Sequence, residues 1–206
     1  MTVFELEPAT TRLAELVAGV PDDLLDGPTP CPDYTLGDLL EHAGGLALAF
    51  AAGARKEGGA LTSTAPAGDA KRLPRDWRTR IPGDLDALAL AWRDPAAWTG
   101  MTTVGGVNMP GEVTALVALD EVVIHGWDIA RSSGQPFWVE PALLETLAGF
   151  IQQAFAPDQP ALRKGIFGPP VDVPADSPLL DRVIGLTGRD PAWTPDHSRA
   201  RSAAWP

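Results

Sequence analysis

Residues 110–134 read PGEVTALVALDEVVIHGWDIARSSG and decide the fold of this chain. A proline is tolerated in the first turn of a helix, and two serines before a glycine are typical of a helix exit, so the segment predicts one long helix. Glu121 and His125 stand four residues apart in it, which places both side chains on one helix face. Asp128 extends that face by about one turn. The segment therefore predicts a helix that presents two candidate metal ligands side by side.

A second helical segment supplies a third candidate ligand. Residues 35–54 read TLGDLLEHAGGLALAFAAGA, in which Thr35 and Asp38 have the spacing of a helix cap and its reciprocal partner. His42 borders the apolar stripe of this helix, where an imidazole requires a polar partner. Together with Glu121 and His125 it completes a set of one carboxylate and two imidazoles. Catalytic zinc sites that keep one position open use such a set.

Two interpretations of these residues stay open at the level of sequence. A Glu-x-x-x-His pair in a helix is also compatible with a solvated glutamate and a hydrogen-bonded core histidine. The apolar surroundings of Glu121 favour a metal, because a buried carboxylate needs a cation or hydrogen-bond donors. Two neutral imidazoles and one carboxylate would leave a divalent ion with net positive charge. Asp128 is a candidate for orienting an imidazole, for a further ligand, or for a residue of the helix exit.

The composition argues against several classes of partner. The chain has 206 residues, which fits one domain, and its 27 acidic and 16 basic residues give a net charge of -11. This charge disfavours nucleic acid and anionic membrane surfaces. One cysteine forms no internal disulfide, and the first residues lack the features of a signal peptide. We expect a cytoplasmic protein whose partner is a small molecule or another protein.

The remaining periodicity predicts further helices. Apolar residues at helical spacing predict helices over residues 8–20, 141–155 and 180–186. A short amphipathic helix over residues 83–92 would use Leu85, Leu88 and Leu90 as its apolar positions. With the two segments above, four long helices predict an all-α four-helix bundle with long crossing loops and a small carboxy-terminal extension.

The irregular segments are rich in glycine and proline. Residues 56–82 predict a loose surface excursion, residues 98–108 a small hairpin around a Gly-Gly pair, and residues 187–206 an extended tail packed by Trp193. The whole chain, residues 1–206, is expected to form one domain.

Two other reactive residues are weaker candidates for a site. Cys31 precedes the second helix, whereas His42 lies about two turns into it, roughly 10 Å along the helix axis, so we expect a packed thiol instead of a Cys–His dyad. His197 lies in a polar, proline-rich tail, where a solvated side chain is the default.

Two signatures resemble a known family. TPCPDYTLGDLLEHAGG and ALDEVVIHGWDIARSSGQPF, with the closing LTGRDPAW, are similar to the actinobacterial family related to the amino-terminal domain of mycothiol-dependent maleylpyruvate isomerase, within the DinB-like superfamily of metal-binding four-helix bundles. The resemblance implies that His42, Glu121 and His125 are metal ligands for zinc or nickel. It also implies that in some relatives a thiol such as mycothiol coordinates the metal and reacts as thiolate. Tyr34 stands where tryptophan is frequent in the motif.

The resemblance has a limit in the carboxy-terminal part of the chain. The isomerase carries a further domain that contributes to its substrate site, and the residues after the last long helix here are too few for a typical independent domain. Its thiol-binding and substrate-binding residues are therefore not transferred to this sequence.

The sequence therefore predicts a DinB-like metal-binding protein, and its favoured function is a thiol-dependent isomerase or transferase acting on a small electrophile. The alternative is a non-catalytic metal-binding or stress-responsive module, which a closed fourth metal position would favour. A third interpretation is a dimeric binding protein that docks a partner on a helical face. Homodimer formation stays open as well, since related bundles often pair.

Overall fold

The computed structural model describes residues 3–154 and 166–196. These residues divide into two compact units, with the boundary between Trp138 and Val139. The first unit holds the described residues up to 138 together with 195 and 196, and the second holds the described part of residues 139–194. The expectation of one domain over residues 1–206 stays a prediction, and His197 lies outside the described residues.

Four long helices build the first unit, together with a short helix and a hairpin. The helices are α1 (Glu7–Ala18), α2 (Leu36–Ala54), the short α3 (Ala60–Ser63), α4 (Trp77–Ala91) and α5 (Gly111–Ser133). Helices α1 and α2 each contact both α4 and α5, so the four long helices close a ring. Its core is made of large aliphatic side chains, including Leu16, Leu36, Leu39, Leu40, Leu85, Leu88, Leu119, Ile124 and Ile129. The mostly helical prediction is confirmed.

Local sequence signals set the ends of α2 and α5 as predicted. The Thr35 hydroxyl accepts from the Asp38 backbone N–H at 3.2 Å, and the Asp38 carboxylate accepts from the Thr35 backbone N–H at 2.9 Å. The hydrogen bond from the Thr35 side chain is the main cause that lowers the pKa of Asp38. Helix α5 ends at Gly134, whose φ of 68° is the left-handed conformation that glycine adopts without strain.

Helix α4 corrects two predictions. It begins at Trp77 and not near residue 83, and it passes through Pro82, because Trp77 and Ile81 are buried and their packing outweighs the local cost of a proline. Leu85 and Leu88 are buried as expected, but Leu90 is 65% exposed. Leu90 follows Leu88 by only two residues, which turns it away from the buried face.

The fourth helix of the ring is therefore not the one that the sequence suggested. We expected the helix over residues 141–155 to complete the bundle, but the helix found there, α6 (Pro141–Ala154), belongs to the second unit. Helix α4 takes the fourth position, because it contacts both α1 and α2. The sequence pattern found the helix at Pro141 correctly and assigned it to the wrong group of helices.

The predicted surface excursion over residues 56–82 is only partly loose. Residues 55–61 are exposed, but Thr62 is buried and residues 66–70 form hydrogen bonds with α2 and with Tyr34. Hydrogen bonds of the backbone hold this segment, and amino-acid composition gives no signal for such bonds. The predicted hairpin forms from β1 (Met101–Val104) and β2 (Val107–Pro110), with Val104 opposite Val107.

The second unit contains α6 and the short helix α7 (Leu179–Leu186), which pack together. Their buried residues include Leu143, Leu147, Ile151, Val183 and Ile184. Residues 187–194 form no helix or strand, and Trp193 is half-buried. None of the described helices combines the length and the apolar composition that a membrane span requires.

Candidate metal centre

The ring of helices brings together the three candidate ligands. His42 comes from α2, and Glu121 and His125 come from adjacent turns of α5. One ligand atom from each residue lies within 4.8 Å of the other two. Glu121 Oε2 is 3.0 Å from His125 Nε2 and 4.0 Å from His42 Nε2. The three donors that sequence spacing singled out therefore converge on one point between two helices.

Asp128 holds the far side of the His125 ring. Its Oδ2 lies 3.1 Å from His125 Nδ1, and the residue is 0% exposed. A carboxylate accepts a hydrogen bond, so the Nδ1 hydrogen of His125 points at Asp128 and Nε2 points toward Glu121. Of the three roles that the sequence left open for Asp128, this contact is the one expected of an orienting acceptor.

A backbone carbonyl holds His42 in the equivalent way. His42 Nδ1 lies 2.9 Å from the carbonyl oxygen of Pro66, which can only accept, so the proton of this imidazole sits on Nδ1. The His42 ring is near two other rings, with its centroid 5.2 Å from that of Tyr34 and 5.0 Å from that of His125. In both histidines Nε2 is therefore the ring nitrogen that faces Glu121.

The protonation of the two histidines differs because their neighbours differ. Burial acts to lower the pKa of His125, but the hydrogen bonds to Asp128 and Glu121 raise it to about 9. Burial lowers the pKa of His42, and the nearby positive charge of His125 lowers it further. Without a metal, His125 is thus charged and His42 neutral at pH 7. The proton on His125 Nε2 occupies the place where a metal would bind.

The cluster is open on one side. The Glu121 side chain is 26% exposed, whereas the His42 and His125 side chains are 12% and 10% exposed. Glu121 also lines a small pocket among the four long helices. The other residues of that pocket are apolar and are Leu13, Ala43, Leu46, Ala47, Phe50, Leu85, Leu88 and Val122. The carboxylate therefore borders solvent, the two imidazoles and an apolar crevice.

The donor set fits a divalent transition metal. Zinc binds imidazole nitrogen and carboxylate oxygen at about 2.0–2.2 Å, which separates neighbouring ligand atoms by roughly 3.3 Å in a tetrahedron. The distances of 3.0 Å and 4.0 Å from Glu121 to the two imidazoles bracket this value. Two neutral imidazoles and one carboxylate leave a dication with one net positive charge. Imidazole nitrogens with a carboxylate oxygen are donors of the kind that bind zinc or nickel.

Sequence analysis missed two neighbours of the cluster. Pro66 contributes only a backbone carbonyl, for which the sequence holds no signal beyond the need of His42 for a partner. The ring of Tyr34 lies near His42, a contact for which the sequence holds no signal. Cys31 is half-buried, and its carbonyl accepts from the Thr29 hydroxyl at 2.7 Å.

Comparison with known proteins places the chain in a family. The model of the mycothiol maleylpyruvate isomerase N-terminal domain matches residues 6–130, which is more than half of the chain. The chain belongs to this family. The matched range includes His42, Glu121, His125 and Asp128, and it ends within α5.

Two mycobacterial relatives match most of the length of this chain. Uncharacterized protein Rv0738 of Mycobacterium tuberculosis strain H37Rv and Uncharacterized protein MT0763 of strain CDC 1551 are each 28% identical over 194 residues, covering 88% of this chain and 93% of the relative.

Solved structures of the mycothiol-dependent maleylpyruvate isomerase share the fold. The structure of a histidine-to-alanine mutant of that enzyme has a TM-score of 0.55, and a second structure of the isomerase has 0.53, each at 20% identity and over 70% of this chain. The match spans 65% of the isomerase chain.

Proposed function

We propose that this member of the mycothiol maleylpyruvate isomerase N-terminal domain family binds one zinc or nickel ion through His42 Nε2, the Glu121 carboxylate and His125 Nε2. The observation that carries the proposal is the convergence of these donors within 4.8 Å. The proposal is further supported by the Nδ1 atoms, which are held by Pro66 and Asp128. Metal-bound histidines almost always donate their other ring N–H to such an acceptor.

When bound, the ion supplies a positive centre that lowers the pKa of a coordinated thiol. The residues of the chain set the conditions for that chemistry. Asp128 accepts the hydrogen bond from His125 Nδ1, which keeps a proton on that nitrogen and leaves Nε2 as the atom that faces the metal. The single carboxylate of Glu121 leaves net positive charge on the site, and the partial exposure of Glu121 leaves a route for a small molecule.

We propose that the incoming thiol is mycothiol and that the chain is a thiol-dependent isomerase or transferase acting on a small electrophile. The description of the family, which names mycothiol and maleylpyruvate, supports the thiol and the substrate class. The chain covers only 65% of the isomerase, so the electrophile need not be maleylpyruvate. In an isomerase the thiolate would add to the electrophile and leave again after the isomerisation; in a transferase the new carbon–sulfur bond would remain in the product, with a leaving group expelled or a proton taken up at carbon.

Cobalt substitution tests the thiol proposal directly. The protein is loaded with one equivalent of Co²⁺ and titrated with mycothiol, and the expected result is a new sulfur-to-cobalt charge-transfer band. S-methylated mycothiol is the matched control ligand, and the Cys31→Ser variant excludes a band from the protein's own thiol. If mycothiol leaves the spectrum of the cobalt-loaded protein unchanged, the thiol role is refuted and a non-catalytic metal-binding module is favoured. Turnover of maleylpyruvate with and without mycothiol then tests the substrate.

A further inference from the structure

One segment outside the ligand set lies along the face of α2 that carries His42. We name residues 66–72 the strap. Three backbone N–H groups of the strap donate to side chains on or before α2. They are Ala70 to Asp38 Oδ1 at 2.7 Å, Asp69 to Glu41 Oε2 at 3.1 Å and Gly68 to the Tyr34 hydroxyl at 3.2 Å. The same strap delivers the Pro66 carbonyl to His42 Nδ1.

The strap approaches α2 more closely than a side chain would allow. A Cβ atom on Gly68 would lie 2.4 Å from the backbone oxygen of Asp38, and a Cβ on Gly45 would lie 2.9 Å from Cβ of Pro66. A Cβ on Gly37 would lie 2.9 Å from that of Ala70. Real Cβ atoms essentially never show such distances, so glycine at these places is what permits the contact.

An ion pair fixes the far end of the strap. Arg72 Nε and Nη2 donate to the two oxygens of Glu41, each at 3.1 Å, and Nη2 also donates to the carbonyl of Ala67. The Arg72 side chain is more than half exposed, and exposed ion pairs contribute little to the free energy of unfolding. Two parallel bonds do, however, fix geometry. The pair is thus better suited to positioning the strap than to stabilising the fold.

We propose that the strap is the positioning element of the metal centre, and that Arg72 and Glu41 are positioning residues that act through it. By holding the Pro66 carbonyl against Nδ1, the strap keeps the His42 proton on that atom and directs Nε2 at Glu121 and His125. This inference rests on the proposed metal site for its effect on affinity. The tautomer of His42 in metal-free protein tests it independently of any metal.

Gly68→Ala is the decisive variant, because its new Cβ meets backbone atoms that cannot move aside and the strap must lift from α2. Gly58→Ala is the matched control, since that loop glycine has nothing within 4 Å of its Cβ position. Arg72→Met loosens the same strap without a clash, with Arg80→Met as its control because Arg80 pairs with Asp84 within α4.

Two measurements are made on all five proteins. Loss of an outer acceptor typically weakens metal binding about 10- to 100-fold, so we expect that increase in the zinc Kd for Gly68→Ala and a smaller one for Arg72→Met. In metal-free protein, nitrogen-15 NMR should show His42 protonated at Nδ1 in the parent and both controls, and a mixture of tautomers in the two strap variants. Only three histidines need assignment.

The outcomes separate the strap from the metal site. An unchanged His42 tautomer in both strap variants would overturn the positioning role. If the parent binds zinc, strap variants with the same zinc Kd as the parent would also overturn it. A parent that binds no zinc would refute the proposed function alone, because the tautomer still reports on the strap. A fall in thermal stability without either change would show that the strap is merely structural.

Discussion

Replacing Asp128 with asparagine removes one negative charge from behind His125 and keeps the shape of the side chain. Asp128 is fully buried, and its Oδ2 lies 3.1 Å from His125 Nδ1. The amide oxygen of asparagine can still accept from Nδ1, so the imidazole keeps its orientation. Asp128→Asn therefore tests the electrostatic contribution of this carboxylate to the metal centre.

The magnitude follows from what His125 Nε2 holds. Mutation of the group that accepts from a metal-bound histidine typically weakens metal affinity about 10- to 100-fold, or about 1.4 to 2.8 kcal/mol. Asp128 attracts a dication about twice as strongly as a proton at the same nitrogen. Burial acts to lower the pKa of His125, but Asp128 and Glu121 raise it to about 9, so below that pH zinc must displace a proton. Asp128→Asn also weakens proton binding at Nε2, so at pH 7 part of the loss in zinc affinity is offset by easier proton displacement. The loss of zinc affinity relative to the parent should therefore be larger at about pH 9.5 than at pH 7.

Chelator competition at both pH values measures the effect. Ser132→Ala is the matched control, because Ser132 is buried one turn further along α5 and its hydroxyl donates to the backbone oxygen of Asp128 at 2.8 Å. The control should bind zinc as the parent does. Equal affinity of Asp128→Asn and parent at both pH values, or a larger deficit at pH 7, would refute the electrostatic argument.

Three further perturbations test other parts of the structure. Because the pKa of His125 is raised to about 9, its protonation stabilises the metal-free protein fully below about pH 6.5. The free energy of unfolding should therefore fall by up to about 3 kcal/mol as the pH rises through 9, and urea unfolding of His125→Gln should show a flatter pH profile. Gly53→Ala should destabilise by about 1–3 kcal/mol, because its Cβ would lie 2.5 Å from Val104; an unchanged melting temperature would contradict this packing. Thr35→Ala should lower the free energy of unfolding by about 1 kcal/mol, because the α2 cap is lost. An unchanged free energy in denaturant unfolding would show that the cap does not stabilise the fold.

Local sequence signals were sufficient for most helices and for the ligand pair on one helix. Glu121 and His125 are four residues apart, and helical geometry alone places them together. The cap at Thr35 and the exit at Gly134 depend on neighbouring residues only, so the ends of α2 and α5 were predictable. The approach of His42 from another helix is a tertiary contact, which family resemblance supported and periodicity could not establish.

The errors arose where tertiary packing overrides local preference. Pro82 predicts a loop before residue 83, but the helix α4 begins at Trp77 and continues through Pro82, because Trp77 and Ile81 are buried. The strap is held by backbone N–H groups and by close approach at Gly45 and Gly68, which leave no apolar pattern in the sequence. For the same reason the carbonyl that orients His42 was invisible before the structure.

Metal content is the most direct test of the proposed centre. Inductively coupled plasma mass spectrometry is run on freshly purified, untagged protein beside His42→Ala, Glu121→Ala and His125→Ala, with Gly58→Ala as a control distant from the ligand set in sequence. We expect about one equivalent of zinc or nickel in the parent and control, and loss of the metal in all three ligand variants. A parent that stays metal-free after zinc and nickel are supplied, or a ligand variant that keeps full occupancy, would contradict it.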